Sequence, residues 1–407
     1  MRGRITLAAL AMGTAPAAFA QADPEGWKLE ARLTVAGTAI DDETPLAPAG
    51  DGPLGSGSLT LSRADTFENG LTLEWRGEVR IDRDAASRPA FAGVLGDCPA
   101  TDAGCPRVAT SGGFLSPVSP ATGLAPDGPL ADEEAFATVE GASVSLSGAW
   151  GEGVLGLDSG VAARLDARAP TVLQRASAFS PGLDPTGLVT TRARNDVTGP
   201  SFKVSYMSPR WIGFRLGASF TPEADQRSAD FDPGFGGAGL ATADLEDIWE
   251  GAVSFDRRFQ PSGVRIRAAL TYSMASASSG LAGFGDYEAW GAGLELERGA
   301  WTGGLRWLSS NNAWDSGNGD YEAWEAGLVH QGDEWRFGIE GGWSEDSLSG
   351  TEGASWLVGA SRKITEHLDL GVAWTSAEAD LPVLLGPSAS HRNARNEGLV
   401  FELTVRN

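Results

Sequence analysis

The chain has 407 residues, a formal net charge of −23, 55 Gly, 14 Trp and 16 Phe, and a mean hydropathy of −0.15. So acidic a chain is a poor partner for nucleic acid, whose phosphates call for a basic surface. Past the opening residues no apolar run reaches the length of about 20 that a spanning helix needs, so the rest either stays in water or crosses a membrane by other means.

The opening, MRGRITLAALAMGTAPAAFA, sets Arg2 and Arg4 before an apolar stretch from Ile5 to Ala18 and a small-x-small exit at Ala18-Phe19-Ala20. Cations, apolar run and exit in that order predict a cleaved export signal over 1–20, leaving 21–407 as the folded unit. Beyond it the governing pattern is alternation with period two. Residues 27–35 oppose Trp27, Leu29, Ala31, Leu33 and Val35 to Lys28, Glu30, Arg32 and Thr34. Residues 71–82 oppose Leu71, Leu73, Trp75, Val79 and Ile81 to Thr72, Glu74, Arg76, Glu78, Arg80 and Asp82.

Continued along the chain, this reading predicts sixteen strands near 27–39, 56–66, 71–82, 133–149, 153–160, 198–208, 211–221, 247–258, 263–275, 286–297, 300–310, 320–331, 334–344, 353–363, 366–376 and 396–407. Short turn sequences such as Glu68-Asn69-Gly70 and Gln260-Pro261-Ser262 alternate with long Gly/Pro/Asp-rich stretches at 83–132, 161–197, 222–246 and 377–395. Short turns on one side and long loops on the other are the plan of an outer-membrane barrel. Cys98 and Cys105 lie in the first long stretch, where an exported chain is expected to close a small loop with a disulfide. A zinc site there would lack two further ligands. The acidic stretch from Glu223 to Asp247, with Asp225, Asp230, Asp232, Asp244 and Glu246, offers carboxylates to a calcium ion bridging lipopolysaccharide phosphates, or is simply solvated loop charge. No cofactor is otherwise expected.

In the second half Val264, Ile266, Ala268 and Leu270 oppose Arg265, Arg267 and Thr271, and the hexapeptide GDYEAW recurs at 285–290 and 319–324, 34 residues apart. That period also suits a helical solenoid, but the alternation inside each unit rejects helices. A propeller blade would be apolar on both faces, whereas these strands stay polar on one. Trp211, Trp301 and Trp335 fall at short-turn ends and Trp290, Trp324, Trp343 and Trp374 toward long-loop ends, as two interfacial girdles require. The last strand carries Leu399, Phe401, Leu403 and Val405 on its apolar face.

These signals together imply a closed antiparallel transmembrane β-barrel, because in lipid every backbone N–H and C=O must be paired within the protein. The charged faces then belong to a lumen, and about sixteen strands leave that lumen too wide for side chains to fill. An enzyme is not expected: His330, His367 and His391 have no positioned partner in the sequence, and no G-x-S-x-G elbow occurs. The glycines of a G-x-G-x-x-G match, Gly234, Gly236 and Gly239, lie in a long loop with no strand leading in. An outer-membrane enzyme or adhesin, or a soluble periplasmic all-β protein, are the rival classes.

Two segments carry a family resemblance. NDVTGPSFKVSYMSPRWIGFRLGASFTPE at 195–223 and SLSGAWGEGVLGLDSG at 145–160 resemble consecutive hairpins of general diffusion porins from alphaproteobacteria. The resemblance implies a homotrimer of sixteen-stranded barrels whose third loop, here 161–197, folds into the lumen, passing small hydrophilic solutes and ions and contacting outer-membrane lipid and lipopolysaccharide. That loop carries Arg164, Asp166, Arg168, Arg175, Asp184, Arg192, Arg194 and Asp196, five arginines against three aspartates, where the family often has an acidic loop. The departure opens an alternative, a sugar- or anion-selective channel with an arginine-rich filter. The expected pore-lining set is Arg32, Glu74, Arg76, Glu78, Arg80, Arg164, Asp166, Arg168, Arg175, Asp184, Arg192, Arg194, Arg265 and Arg267, with Asn407 standing where the resemblance implies a terminal aromatic.

Overall fold

The computed structural model describes residues 26–42, 53–83, 116–117, 119–122, 136–179, 183–224, 240–241, 243–278, 283–315, 319–385 and 388–407. The expected export signal, the Cys98–Cys105 pair and most of the acidic 223–247 stretch lie outside these residues.

Alternation gives each strand one apolar and one polar face, and neighbours pair in the register that keeps like faces together. Sixteen antiparallel strands close into a barrel: Trp27–Asp42, Leu54–Thr66, Thr72–Arg83, Phe136–Gly148, Gly151–Asp158, Ser201–Met207, Phe214–Ala224, Asp244–Phe259, Val264–Ser278, Asp286–Arg298, Trp301–Ser310, Tyr321–Gln331, Trp335–Asp346, Thr351–Thr365, Leu368–Leu385 and Ser388–Arg406. Each pairs with its chain neighbours, and the first pairs with the last from Arg32 opposite Arg406 to Asp42 opposite Asn396. Asn407 extends this seam. Its Oδ1 accepts from the Ala31 N–H at 2.7 Å and its Nδ2 donates to the Leu29 carbonyl at 3.1 Å.

All sixteen expected strands form, with one correction to the loops: 377–395 is not a long loop. The final two strands run on through it, paired from Ala377 opposite Asn396 to Leu385 opposite Ser388. Backbone pairing needs no apolar pattern once two strands already run side by side, so the composition of that stretch concealed the ladder.

The apolar face of the wall meets the surroundings. Leu33, Leu59, Ile81, Leu155, Val204, Leu216, Leu270, Leu305, Ile339 and Phe401 are all exposed. Aromatic rings gather at the strand ends. Toward the long connections Trp324 pairs with both Trp307 and Trp343 across the ladders, and Tyr272 meets Trp290 at a centroid distance of 4.5 Å. Near the short turns Trp150 stacks on Tyr206 and Trp335 on Phe337. Indole N–H groups of Trp307 and Trp324 both donate to Glu322 Oε1 at 3.0 Å, an apolar ring with a wet end. Ile339, 52% exposed between Leu328 and Val358, sits mid-strand on this face. Ile339→Arg is expected to destabilise the barrel by about 2–4 kcal/mol in urea titrations in lipid vesicles, the cost of a guanidinium near the bilayer midplane.

The buried apolar residues lie on the opposite face. There the segment joining Gly151–Asp158 to Ser201–Met207, which opens with a one-turn helix at Val161–Arg164, packs its Ala169, Val172, Leu173, Ala176, Ala178 and Leu183 against Val329, Leu357, Ala373 and Val400 of the wall. A second cluster sets Val161 and Leu165 against Val154, Met207 and Ala252.

Candidate functional site

The segment 161–200 is held to the polar faces of the wall by hydrogen bonds as well as by apolar contact. Glu402, on the last strand, accepts from three consecutive backbone N–H groups: Gln174 at 2.7 Å, Arg175 at 3.0 Å and Ala176 at 2.9 Å. Glu340 accepts from Val172 N–H at 3.0 Å and Ala178 N–H at 2.8 Å. Between these carboxylates Ser361 donates to the Val172 carbonyl at 3.0 Å. Further along, Glu325 accepts from Ala193 N–H at 2.8 Å and the Tyr321 hydroxyl accepts from Arg192 N–H at the same distance. Asn396 donates to the Thr186 carbonyl at 2.7 Å, and Asn195 accepts from Ser273 at 2.8 Å. Carboxylate acceptors make such bonds stronger than neutral pairs, so the irregular backbone satisfies its polar groups away from bulk water.

Close approach also requires small residues on the wall. A Cβ at Gly327 would lie 2.2 Å from the Pro170 carbonyl oxygen, and one at Gly293 would lie 2.3 Å from that of Ala167. Any side chain there would push the segment off the strand.

What remains is a cavity of about 710 Å³ bounded on one side by the strands at 72–83 and 136–158 and on the other by the segment. Among the described residues eight arginines and seven carboxylates border it. The wall supplies Glu74, Arg76, Glu78, Arg80, Glu140, Glu152 and Asp158, and the segment supplies Arg164, Arg168, Arg175, Arg192, Arg194 and Asp196. Most are paired. Arg76 meets Glu78 at 2.7 Å, Arg164 meets Glu152 at 2.9 Å and Asp158 at 3.1 Å, and Arg194 meets Asp196 at 3.0 Å. Arg80 pairs with Asp82, and Arg175 reaches from the segment to the same carboxylate at 3.6 Å. Arg168 has no ion pair among the described residues and borders the cavity. Lost solvation, then the nearby guanidiniums of Arg194 and Arg306, lower its pKa from the ordinary arginine value.

The sequence-derived candidates therefore do not all meet. Glu74, Arg76, Glu78, Arg80, Arg164, Arg168, Arg175, Arg192 and Arg194 border the one cavity. Arg32 lines a smaller one of about 130 Å³ beside Arg80 and Arg175. Asp166 is tied to Arg306 at 2.9 Å. Asp184 is buried in its own turn, accepting from Thr186 N–H at 2.8 Å and Val189 N–H at 2.8 Å, and it makes no ion pair among the described residues. Arg265 and Arg267 lie beside the short turn at 260–263, outside the cavity; Arg265 makes a bidentate contact with Asp256, both bonds 2.7 Å, and Arg267 pairs with Glu295. Alternation alone could not distinguish these depths along a strand.

Several site residues escaped the sequence reading. Glu140 is itself the extra residue of a bulge, lying between Val139 and Gly141, which oppose the consecutive Val79 and Glu78, and this breaks simple parity. Arg306 and Glu325 form a buried pair, and Glu340 and Glu402 are the anchors already described. The available signal was a polar face rich in glycine and alanine from 286 onward, which leaves room for a second layer. Among the described residues no group of three or more His, Cys, Asp or Glu side chains could hold a metal ion.

A model of Gram-negative porins matches residues 6–380. Among solved structures, the anion-selective porin from Comamonas acidovorans is similar with a TM-score of 0.52 at 14% identity, covering 94% of this chain and 99% of that one. Salmonella typhi OmpF, solved in complex with daunomycin, is similar with a TM-score of 0.54 at 12% identity, covering 94% and 98%. At such identities the likeness concerns the fold. No curated protein matches the sequence. A family match over most of the chain, on a closed barrel whose apolar face points outward, makes this protein a member of the Gram-negative porins, channels of the outer membrane rather than enzymes.

Proposed function

We propose that the barrel passes small hydrophilic solutes and ions by diffusion, and that segment 161–200 lies in the lumen as its constriction. The observation that carries this reading is the set of hydrogen bonds from segment backbone N–H groups to Glu325, Glu340 and Glu402 on the polar face of the wall. The hairpins at 145–160 and 195–223, which resemble those of alphaproteobacterial general diffusion porins, support it further. Purified protein added to planar bilayers is expected to insert in steps of ohmic conductance. A folded chain that never conducts defeats the proposal.

The narrow region is not acidic although the chain is. Among the described residues eight arginines against seven carboxylates border the cavity, while the whole chain carries a charge of −23. Ion selectivity is set by charge near the permeating ion, since distant charge is screened beyond about 8–10 Å. This favours weak selectivity or a preference for anions, and gives the substrate-selective alternative its footing. Under a salt gradient the reversal potential is expected to lie near zero or on the anion side. Strong cation preference would exclude an arginine filter.

Residues 1–20 we read as an export signal removed in transit, and the mature chain as a homotrimer in contact with outer-membrane lipid and lipopolysaccharide. The order of Arg2, Arg4, the apolar run and Ala18-Phe19-Ala20 supports the first, and the family resemblance supports the second.

A further inference from the structure

The connection between Thr72–Arg83 and Phe136–Gly148 has a described portion, 119–122, that touches a strand far from its own. It meets Trp335–Asp346, separated from Phe136–Gly148 by eight strands one way around the barrel and from Thr72–Arg83 by five the other. Ser119 Oγ donates to Asp346 Oδ1 at 2.9 Å and Thr122 Oγ1 donates to Oδ2 at 2.7 Å. Ala121 N–H donates to Asn312 Oδ1 at 3.1 Å, while Asn312 Nδ2 donates to Gly319 O at 2.8 Å and to Asp346 Oδ1 at 3.2 Å. Ser119, Thr122, Asn312 and Asp346 are each no more than 1% exposed. Just upstream, Ser116–Pro117 pairs in parallel with Leu240–Ala241.

Asp346 has no cation paired with it among the described residues. A buried carboxylate is tolerated only when its lone pairs are filled by donors. Its own turn supplies two, the N–H groups of Leu348 at 3.1 Å and Ser349 at 3.2 Å. Capping that turn would need no more. The other donors come from Asn312 and from a connection rooted across the barrel. The portion so held borders the same cavity as segment 161–200, with Pro120 and Ala121 among its lining, and Ala121 packs against the cluster containing Ala193 and Val197.

We propose that residues 119–122 form a second lip of the constriction, strapped across the barrel by Asp346 and Asn312, which act as positioning residues that set the width of the pore. This rests on the channel reading above. Pore width follows from which groups line the narrowest passage, so removing the strap widens it.

The test compares wild type, Ser119→Ala/Thr122→Ala and Asp346→Ala in planar bilayers and in liposomes swelling in sugars of increasing size. The double variant leaves every barrel strand intact, so it decides the matter if Asp346→Ala fails to fold. Unitary conductance is expected to rise by roughly half or more, with admission of sugars that wild type excludes. A conducting wild type whose double variant shows unchanged or lower conductance and the same size limit overturns the strap alone. A folded wild type that never conducts overturns the channel and the strap together.

Discussion

Replacing Glu402 by alanine is expected to release the tip of segment 161–200 and turn a steady pore into a noisy, wider one. Glu402 is 4% exposed and accepts from three successive N–H groups of the segment, those of Gln174, Arg175 and Ala176. A hydrogen bond to a charged acceptor contributes about 1.5–3 kcal/mol, and the three donors would lose their partner together. Even about 3 kcal/mol shifts the docked-to-released ratio by roughly a hundredfold. The barrel should still close, because its ladders do not depend on this side chain, and heat-modified migration on gels checks that. Single-channel recording then reads the effect as larger mean conductance with added open-state noise. Glu402→Gln keeps one acceptor oxygen and should fall between the two. Should Glu402→Ala conduct like wild type, the segment is not held in the way its contacts imply.

Reversing Arg168 is expected to swing ion selectivity further than reversing any other single cation among the described residues. Among the described residues Arg168 borders the cavity without an ion pair, so its charge is offset less directly than those of Arg76, Arg164 and Arg194, which touch carboxylates. Arg168→Glu changes the local charge by two units, which for an ion passing within a few ångströms of hydrated charge is about 1–2 kcal/mol. The reversal potential should move toward cations by roughly five- to thirtyfold in permeability ratio, and high salt should shrink the change. Arg168→Lys keeps the charge and should leave selectivity where it was. Arg265→Glu is the informative contrast. Its residue is tied to Asp256 beside a short turn, outside the cavity, so a smaller shift is expected. Equal shifts from the two substitutions would mean that the cavity is not where ions are sorted.

Much of the barrel was legible because a strand's two faces report their surroundings directly. Trp75, Val79 and Ile81 read as one face and stand exposed on it; Glu74, Arg76 and Arg80 read as the other and border the cavity. The loops were less legible. Asp184 and Arg194 look alike in a list of charged loop residues, yet one is spent on its own turn and the other borders the cavity. Arg267 has the right parity and the wrong depth, since period two carries no information about height along the strand. The stretch 377–395 has loop composition and strand structure, because a ladder started by apolar pairing can continue on backbone bonds alone.

From the sequence alone come the number of strands, their faces, the side on which the long connections lie and the class of protein these imply. Each follows from local periodicity, a property of residues two apart. Tertiary structure decided which charges share a space: that Glu340 and Glu402 grip the segment from the wall, that Arg168 borders the cavity with no ion pair among the described residues, and that Asp346 holds a connection rooted across the barrel. Those contacts join residues more than 150 positions apart in the chain, as the separations of 168, 228 and 227 show. They depend on where closure of the ring brings distant strands, which no local pattern encodes.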